Sequence, residues 1–212
     1  MALARDRALR GHTYKDLHLP GLSVGDKPDF NGATFERVVF GGANLRAADL
    51  SRATFKQADL RHAAMEGALL DHVSIANCDL TETELGGAHL EHAEIVEVAL
   101  MNVGFIGAKL VSTHFSKSNL IRARLQGAVL IKCTFSFDER STESMMRANL
   151  SEATLIECEL NKANLIAADL RNALFIKCDL RGAQLARAQI EGARLIGCNT
   201  LGADLPDGLL RR

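Results

Sequence analysis

The side chains best suited to chemistry in this chain belong to its five cysteines and seven histidines. Both residue types bind metal ions, and a cysteine can also act as a nucleophile or a redox centre. The cysteines, however, all occupy one position of a short sequence period, where alanine usually stands: Cys78, Cys133, Cys158, Cys178 and Cys198. A residue that alternates with alanine is a small core filler, so we expect buried, reduced thiols without metal or redox function.

The histidines offer only a weak case for a metal site. His72 and His92 stand 20 residues apart and are expected to stack on the outer surface, with His89 nearby. No close cysteine or acid completes a reliable ligand set, so we interpret them as solvated side chains. The sequence also has no GxGxxG, P-loop, HExxH or nucleophile-elbow signature, and we do not expect an enzyme.

Composition limits the class of protein. The chain has 212 residues, 47% hydrophobic and 24% charged, which suits one medium-sized domain or two small ones. A formal net charge of −1 excludes nucleic-acid binding through overall basicity, so no direct nucleic-acid binding is expected. No stretch approaches the roughly 20 apolar residues of a membrane span. The first residues, MALARDRALRG, lack the apolar run of a secretory signal, and we expect a cytoplasmic protein with no membrane partner.

A repeat of five residues dominates the chain. Every fifth residue from Phe30 to Leu205 is Leu, Phe, Met or Ile at all but two of 36 positions, the exceptions being Arg140 and Thr200. With this position called i, the residue at i−2 is Ala, Cys, Val, Thr or Ser at 33 of the 36 positions. A period of five fits a short inward-facing segment followed by a turn, and not a helix or a long strand. Asp or Asn at i−1 and Gly at i+2 suit turns, so four such sides are expected to close a square coil of about 20 residues.

Two stretches carry a family resemblance. The runs ANLRAADLSRATFKQADL at 43–60 and ANLIAADLRNALFIKCDL at 163–180 resemble the pentapeptide-repeat family, whose motif reads A-(D/N)-L-x-x. The resemblance covers about residues 28–207 and implies an all-β fold, a right-handed quadrilateral β-helix of about nine coils with i and i−2 in the core. In such a solenoid Cys158, Cys178 and Cys198 stack in one column. Residues 1–27 are expected to form an N-terminal cap and an irregular first coil, and residues 208–212 a short C-terminal cap.

One interruption falls inside the repeat, since Arg140 and two acids at i−2 cannot occupy core positions. We expect one projecting loop at about 136–146. The run CTFSFDERSTES is similar to the loop-bearing segment of the Qnr quinolone-resistance proteins, and this resemblance implies a partner-contacting loop; a tolerated insertion is the alternative. The candidate contact residues are Phe137, Asp138, Glu139, Arg140, Ser141, Thr142 and Glu143.

Charge is distributed unevenly along the chain. Residues 63–107 contain no Lys or Arg and carry a formal charge of −8, against +3 for residues 1–62 and +4 for residues 108–212. Two interpretations stay open, a solvated band without a partner and partial mimicry of DNA at a basic DNA-binding surface. We call these eight acids the acidic belt and expect them on all four sides of the rod: Glu66, Asp71, Asp79, Glu82, Glu84, Glu91, Glu94 and Glu97.

Outward apolar residues cluster in the second half of the repeat. Ile156, Ile176 and Ile196 all stand at i+1, one coil apart, with Leu174 between them at i−1. We call these four residues the apolar stripe. Packing under a terminal segment would account for the stripe, but an interface with a partner or a second copy of the chain is the preferred interpretation.

Two functional hypotheses follow. Qnr proteins act on DNA gyrase and topoisomerase IV, so the resemblance implies a non-enzymatic protein that binds a type II topoisomerase and protects it from an inhibitor. Such protection would serve antibiotic resistance or self-immunity, partly by DNA mimicry. The alternative is a structural or protein–protein interaction scaffold unrelated to topoisomerase. No cofactor or metal is expected in either case.

Overall fold

The computed structural model describes residues 9–25, 27–136 and 144–211. These residues form short strands joined by turns. In chain order the strands are β1 (Thr13–Lys15), β2 (Thr34–Glu36), β3 (Thr54–Lys56), β4 (Ser74–Ala76), β5 (His89–Glu91), β6 (Glu94–Val96), β7 (Lys109–Val111), β8 (His114–Ser116), β9 (Val129–Ile131), β10 (Thr134–Ser136), β11 (Thr154–Ile156), β12 (Leu174–Ile176), β13 (Arg194–Ile196) and β14 (Leu210–Arg211).

The strands stack into two parallel sheets of seven strands. The first has the order β1-β2-β3-β4-β6-β8-β10, and the second has the order β14-β13-β12-β11-β9-β7-β5. Neighbouring strands lie one coil apart in sequence, so that Phe35 pairs with Phe55. Isolated bridges at the same spacing, such as Asn44 with Ala64, join the coils where no strand forms.

One regular coil therefore takes 20 residues and has four sides of five. We number the sides by their core residues in one coil, side 1 at Phe35, side 2 at Phe40, side 3 at Leu45 and side 4 at Leu50. Each later coil repeats the four sides, with the first sheet on side 1 and the second on side 4. The predicted quadrilateral β-helix of about nine coils is confirmed.

The core is built from the side chains at i and i−2. Alternation within each short side turns these two positions inward and leaves i−1 and i+1 outside. Like residues stack on like along the rod: the rings of Phe35 and Phe55 lie 4.8 Å apart, and those of Phe115 and Phe135 lie 4.9 Å apart. Continuous columns of this kind build the buried core along the rod.

Two local features form the corners. The residue at i+2 has a positive φ whether or not it is glycine, as at Gly67 (67°) and Arg52 (60°). The side chain at i−1 closes the turn, since its Oδ1 accepts a hydrogen bond from the backbone N–H at i+1. Asp59 accepts one from Arg61 at 3.0 Å in this way. This bond explains why Asp and Asn recur at i−1, where other polar residues would leave that N–H unpaired.

The coil that follows Phe135 is five residues longer than the regular coils of 20 residues. Met145 occupies the buried side 2 position that an unbroken repeat would give to residue 140. The backbone N–H of Met145 donates to the Asn164 carbonyl at 3.1 Å, and Ser144 O accepts from Leu120 N–H at 2.8 Å. The core therefore continues through this coil without losing its register.

This register corrects the predicted limits of the loop. Ser136 is the last residue of β10, and Ser144 and Met145 are already buried in the next side. The expected bounds of 136–146 are therefore too wide at both ends, because an apolar Met at residue 145 restores the core pattern before Ala148. The predicted contact residues 137–143 lie outside the described part of the chain.

The two ends of the described rod differ from the regular coils. At the start, Tyr14 of β1 stacks on Phe35 with ring centroids 5.2 Å apart, so the irregular first coil already joins the first sheet by residue 13. At the other end β14 pairs with β13 on side 4, and Leu209 packs against the core. Side 3 ends at Ile190, which is only half-buried.

Candidate partner-binding surfaces

The eight acids of the belt lie on all four sides of the rod, at outward positions where each residue is half-buried or exposed. Four of them nevertheless pair with a cation from another coil. The pairs are Glu66 with Arg46 (2.9 Å), Asp79 with Arg61 (3.8 Å), Glu84 with Arg124 (2.5 Å) and Glu97 with Lys117 (3.1 Å). Half of the belt carboxylates therefore pair with cations that lie outside residues 63–107 in the sequence, although Arg61 is bound more closely to Asp59 than to Asp79.

The other four acids of the belt have no Lys or Arg partner among the described residues. Glu82 lies 3.2 Å from His62 Nδ1, and Glu91 lies 3.6 Å from His92 Nε2. Asp71 accepts a hydrogen bond from the backbone N–H of Glu91 at 2.9 Å. Together with Glu94, these residues concentrate the remaining negative charge on sides 4 and 1, apart from Glu82 on side 2.

The predicted stacking of His72 and His92 is confirmed, with ring centroids 5.0 Å apart at an angle of 20°. The stack places two imidazoles beside the acids of side 4. Within the ranges that the structure describes, no group of three or more His, Cys, Asp or Glu residues is arranged to hold a metal ion. Both rings of the stack lie at exposed positions on the outer surface.

The cysteines line the core, and their column is longer than predicted. The thiols of Cys158, Cys178 and Cys198 stack as expected, and Cys133 continues the same column on side 1. Each Sγ faces a carbonyl of the preceding coil, for example Cys158 with Leu130 O at 3.4 Å. The sequence spacing did not place Cys133 in this column, because the long coil puts it 25 and not 20 residues from Cys158. The neighbouring thiol and burial raise the pKa of Cys158 to about 12, which suits an inert core residue.

The apolar stripe lies on side 4, where the structure brings all four of its residues together. Ile156, Ile176 and Ile196 are paired in register along β11, β12 and β13, with Leu174 beside them. Pairing extends the row towards the N-terminus through Ile131 and Val111 of β9 and β7, with Val129 opposite Thr154. The sequence pattern missed these three residues because the long coil breaks the 20-residue spacing between Ile131 and Ile156.

A second apolar row lies on side 2 and was not predicted. It consists of Met101, Ile121, Met146 and Ile166 at i+1, and hydrogen bonds between the backbones join each to the coil above. Met101 is 39% exposed, and the other three are half-buried. Cations stand at both corners of this side: Lys117, Arg122, Arg147, Lys162 and Arg187. Apolar residues at i+1 could have indicated this row in the sequence. The long coil obscures it, because Ile121 and Met146 are 25 and not 20 residues apart.

The family models agree with this fold. Residues 28–103 match the pentapeptide repeat region, and residues 100–136, 144–182 and 163–199 match the model of pentapeptide repeats in eight copies. The chain belongs to the pentapeptide-repeat family. No curated protein matches this pentapeptide-repeat chain significantly.

Solved pentapeptide-repeat structures share the architecture. A trypsin-treated form of QnrB1, a plasmid-mediated fluoroquinolone resistance protein, is 20% identical with a TM-score of 0.60, and 92% of each chain is covered. Full-length QnrB1 is 19% identical with a TM-score of 0.53, covering 92% of this chain and 87% of that one. HetL from the cyanobacterium Nostoc, which is involved in regulating heterocyst differentiation, is 23% identical with a TM-score of 0.48 over 97% and 94% of the two chains.

The likenesses to QnrB1, together with the family models, establish the fold of the pentapeptide-repeat rod. None of the described residues forms a helix with the length and apolar content that a membrane crossing requires. The features available for recognition are therefore surfaces: the acidic belt, the apolar stripe on side 4 and the apolar row with its basic corners on side 2.

Proposed function

We propose that this chain is a non-enzymatic protein that binds a type II topoisomerase, DNA gyrase or topoisomerase IV, and protects it from an inhibitor. The observation that carries the proposal is the long coil between Phe135 and Met145. The core keeps its register there, so the extra residues are not needed to build the rod. A loop set on a rigid scaffold is a usual place for binding residues.

Two further observations support the proposal. The rod shares its fold with QnrB1, a fluoroquinolone resistance protein, over most of both chains. The segment that holds the extra residues, CTFSFDERSTES, is similar to the loop-bearing segment of Qnr proteins. Residues 137–143 combine an aromatic ring with both signs of charge, which a flat repetitive face lacks.

DNA mimicry has a smaller role in this proposal than the sequence suggested. Four of the eight belt carboxylates pair with Lys or Arg, so about half of the belt charge is left to attract a basic DNA-binding surface. Such an attraction would act through the belt acids on sides 4 and 1 that have no Lys or Arg partner among the described residues, namely Asp71, Glu91 and Glu94. Their contribution should weaken with salt, since exposed charges are screened.

The deciding experiment is a DNA supercoiling assay with purified gyrase, with and without a fluoroquinolone. Protection means that supercoiling persists at drug concentrations that stop the enzyme alone. The variant Glu91→Gln/Glu94→Gln should reduce protection most at low salt, whereas Glu152→Gln/Glu191→Gln, which removes two exposed acids outside the belt, should not. No effect of the wild-type protein on drugged or undrugged gyrase would refute the proposal.

The apolar stripe favours a second candidate, a scaffold that binds a partner or another copy of this chain through side 4. The row from Val111 to Ile196 spans five coils, about 19 Å of rod on a side at most about 17 Å broad. A patch of about 320 Å² is less than half of the roughly 800 Å² per partner in a standard stable interface. We therefore propose a weak homodimer at most, which sedimentation velocity of the wild type and of Ile176→Lys over a concentration series would detect or exclude.

A further inference from the structure

The second half of side 2 has an unusual balance of charge. We call residues 117–122, 144–147, 162–167 and 182–187 the side 2 patch. It contains five Lys or Arg residues and no Asp or Glu, although the chain as a whole has a net charge of −1. Its centre is the apolar row of Ile121, Met146, Ile166 and Ala186, all half-buried at i+1. Among the described residues, the patch thus combines an apolar strip with a rim whose own charged residues are all cations, of which Lys117 already pairs with Glu97.

The arginines of the rim differ from most others on the rod. Arg37, Arg46, Arg61, Arg124 and Arg171 all form ion pairs. Five described arginines form no ion pair with another described residue, and three of these five share one corner of the side 2 patch: Arg122, Arg147 and Arg187. Arg122 and Arg147 stand one coil apart, and Arg187 stands two coils further along, with Ala167 between it and Arg147. Unpaired guanidinium groups in one column repel one another, and an anionic partner would relieve this repulsion.

From this arrangement we propose that the side 2 patch binds an acidic amphipathic helix of a partner protein. The apolar residues follow one another about 4.8 Å apart, close to the 5.4 Å pitch of an α-helix. A helix lying along the rod can therefore place one apolar side chain per turn over each coil. Acids on its two flanks would meet Lys162 at one corner and the three arginines at the other.

The dimensions agree with a single helix. A side of five residues is at most about 17 Å broad, and a helix with its side chains is about 10–12 Å across. The four coils from Ile121 to Ala186, together with the adjoining Met101, extend for roughly 19 Å, which corresponds to about 13 residues of helix. The patch therefore suits a short helical segment better than a globular surface.

Nucleic acid and lipid fit the patch less well. No Phe, Tyr or Trp lies in it to stack on a base, and its central strip is apolar where a phosphate backbone would require polar contacts. The apolar side chains are half-buried against one another, so they cannot reach the roughly 5–10 Å depth of an interfacial anchor. A protein helix can satisfy both the apolar strip and the charged rim.

The test uses the full chain and a labelled synthetic helix of about five turns, with Leu along one face and Glu on both flanks. Its twin carries Gln in place of each Glu. Fluorescence anisotropy should show that the Glu peptide binds about tenfold or more tightly than its twin at low salt, and that this advantage shrinks as salt is added. Equal affinity for the two peptides would overturn the proposal.

The protein variants localise the binding. Arg122→Glu/Arg147→Glu should lower the affinity for the Glu peptide by about tenfold or more. Folding should be retained, since Glu82 and Glu152 already adopt the same positive φ at i+2. The matched control is Arg52→Glu/Lys177→Glu, which changes two exposed, unpaired corner cations on side 4 and alters net charge equally. An equal loss in the control would mean that net charge, not the patch, attracts the peptide.

The apolar strip and the competing ligands complete the experiment. Met146→Thr should lower the affinity of the protein for the Glu peptide. Ile176→Thr, at the same repeat position of side 4, should leave that affinity unchanged. Duplex DNA and vesicles with anionic lipid serve as competitors. The proposal is wrong if duplex DNA or the vesicles bind the protein more tightly than the Glu peptide does, and if Arg122→Glu/Arg147→Glu lowers that affinity. The patch would then be a nucleic-acid or lipid site. Because no topoisomerase is present, this outcome is independent of the function proposed above.

Discussion

Glu84 and Arg124 form an ion pair across an intervening coil, although 40 residues separate them. Arg124 Nη2 donates to Glu84 Oε1 at 2.5 Å, and both side chains stand in one outward column of side 3 with Gly104 between them. A Cβ at residue 104 would lie 2.2 Å from Glu84 Oε2 and 2.8 Å from Arg124 Nη2. The φ of Gly104 is not positive, so a glycine is not required here by the backbone conformation. It is required because any side chain would collide with the ion pair.

The first prediction concerns this glycine. Gly104→Ala should disrupt the Glu84–Arg124 pair and lower the melting temperature, with a loss of about 0.5–1 kcal/mol for a half-exposed pair. The same change in a Glu84→Gln background should cost less, because the charge-assisted bond is already gone. Thermal unfolding of the wild type, the two single variants and the double variant gives the coupling free energy between residues 84 and 104. Additive losses of stability would show that Gly104 has a role other than leaving room for the ion pair.

The second prediction concerns the corners. Ala167 holds a positive φ of 56° without a long side chain that could compensate, so Ala167→Gly should stabilise the rod by up to about 1 kcal/mol. The usual effect of this substitution is the opposite, because glycine adds freedom to the unfolded chain. The control is Ala168→Gly, since Ala168 is buried at i−2 and should lose stability. A lower melting temperature for both variants would mean that corner strain is negligible.

The third prediction tests the inward and outward register. Leu165 is fully buried on side 2, so Leu165→Lys should unfold the chain or lower its melting temperature drastically by burying an unpaired charge. Asn161 stands at i+1 on side 1 and is exposed, and Asn161→Lys should be nearly neutral. Similar melting curves for the two variants would be incompatible with the coil described above.

Much of this architecture could be predicted from the sequence, because a period of five leaves little choice of fold. The inward positions i and i−2 and the turns at i+2 depend only on residues within one pentapeptide. Contacts between coils were harder to predict, since they depend on which residues stand 20 or 25 positions apart. Arg124 therefore looked like part of a basic flank, whereas it neutralises Glu84 of the belt. Cys133 and Ile131 were separated from their columns by the same five extra residues.

The fourth prediction concerns acid stability. Arg171 hydrogen-bonds the Asp169 carboxylate and holds its pKa below the ordinary value of an aspartate. A lowered pKa in the folded state stabilises the rod above the unfolded-state pKa of about 3.9, and this gain is lost as the pH falls through the folded-state pKa. Asp169→Asn keeps the Oδ1 acceptor for the Arg171 N–H but removes the charge. The variant should melt below the wild type at pH 7, and the difference should vanish well below pH 4; a constant difference at all pH values would assign it to shape and not to charge.

The last prediction concerns the long coil. The deletion that tests it is chosen so that the core positions of side 2 are kept. Deleting residues 138–142 restores a coil of 20 residues, but it places residue 143 at the i−2 position of side 2, in a column with Ser118 and Ala163. An acid cannot be buried there, so the deletion is combined with Glu143→Ala, the residue type that later coils place at i−2. This protein should melt at or above the wild-type temperature, because the closed coil matches its neighbours and the chain is shorter. Gyrase protection should nevertheless be lost if the deleted residues make the specific contacts, whereas full protection with an intact melting curve would show that the insertion is merely tolerated.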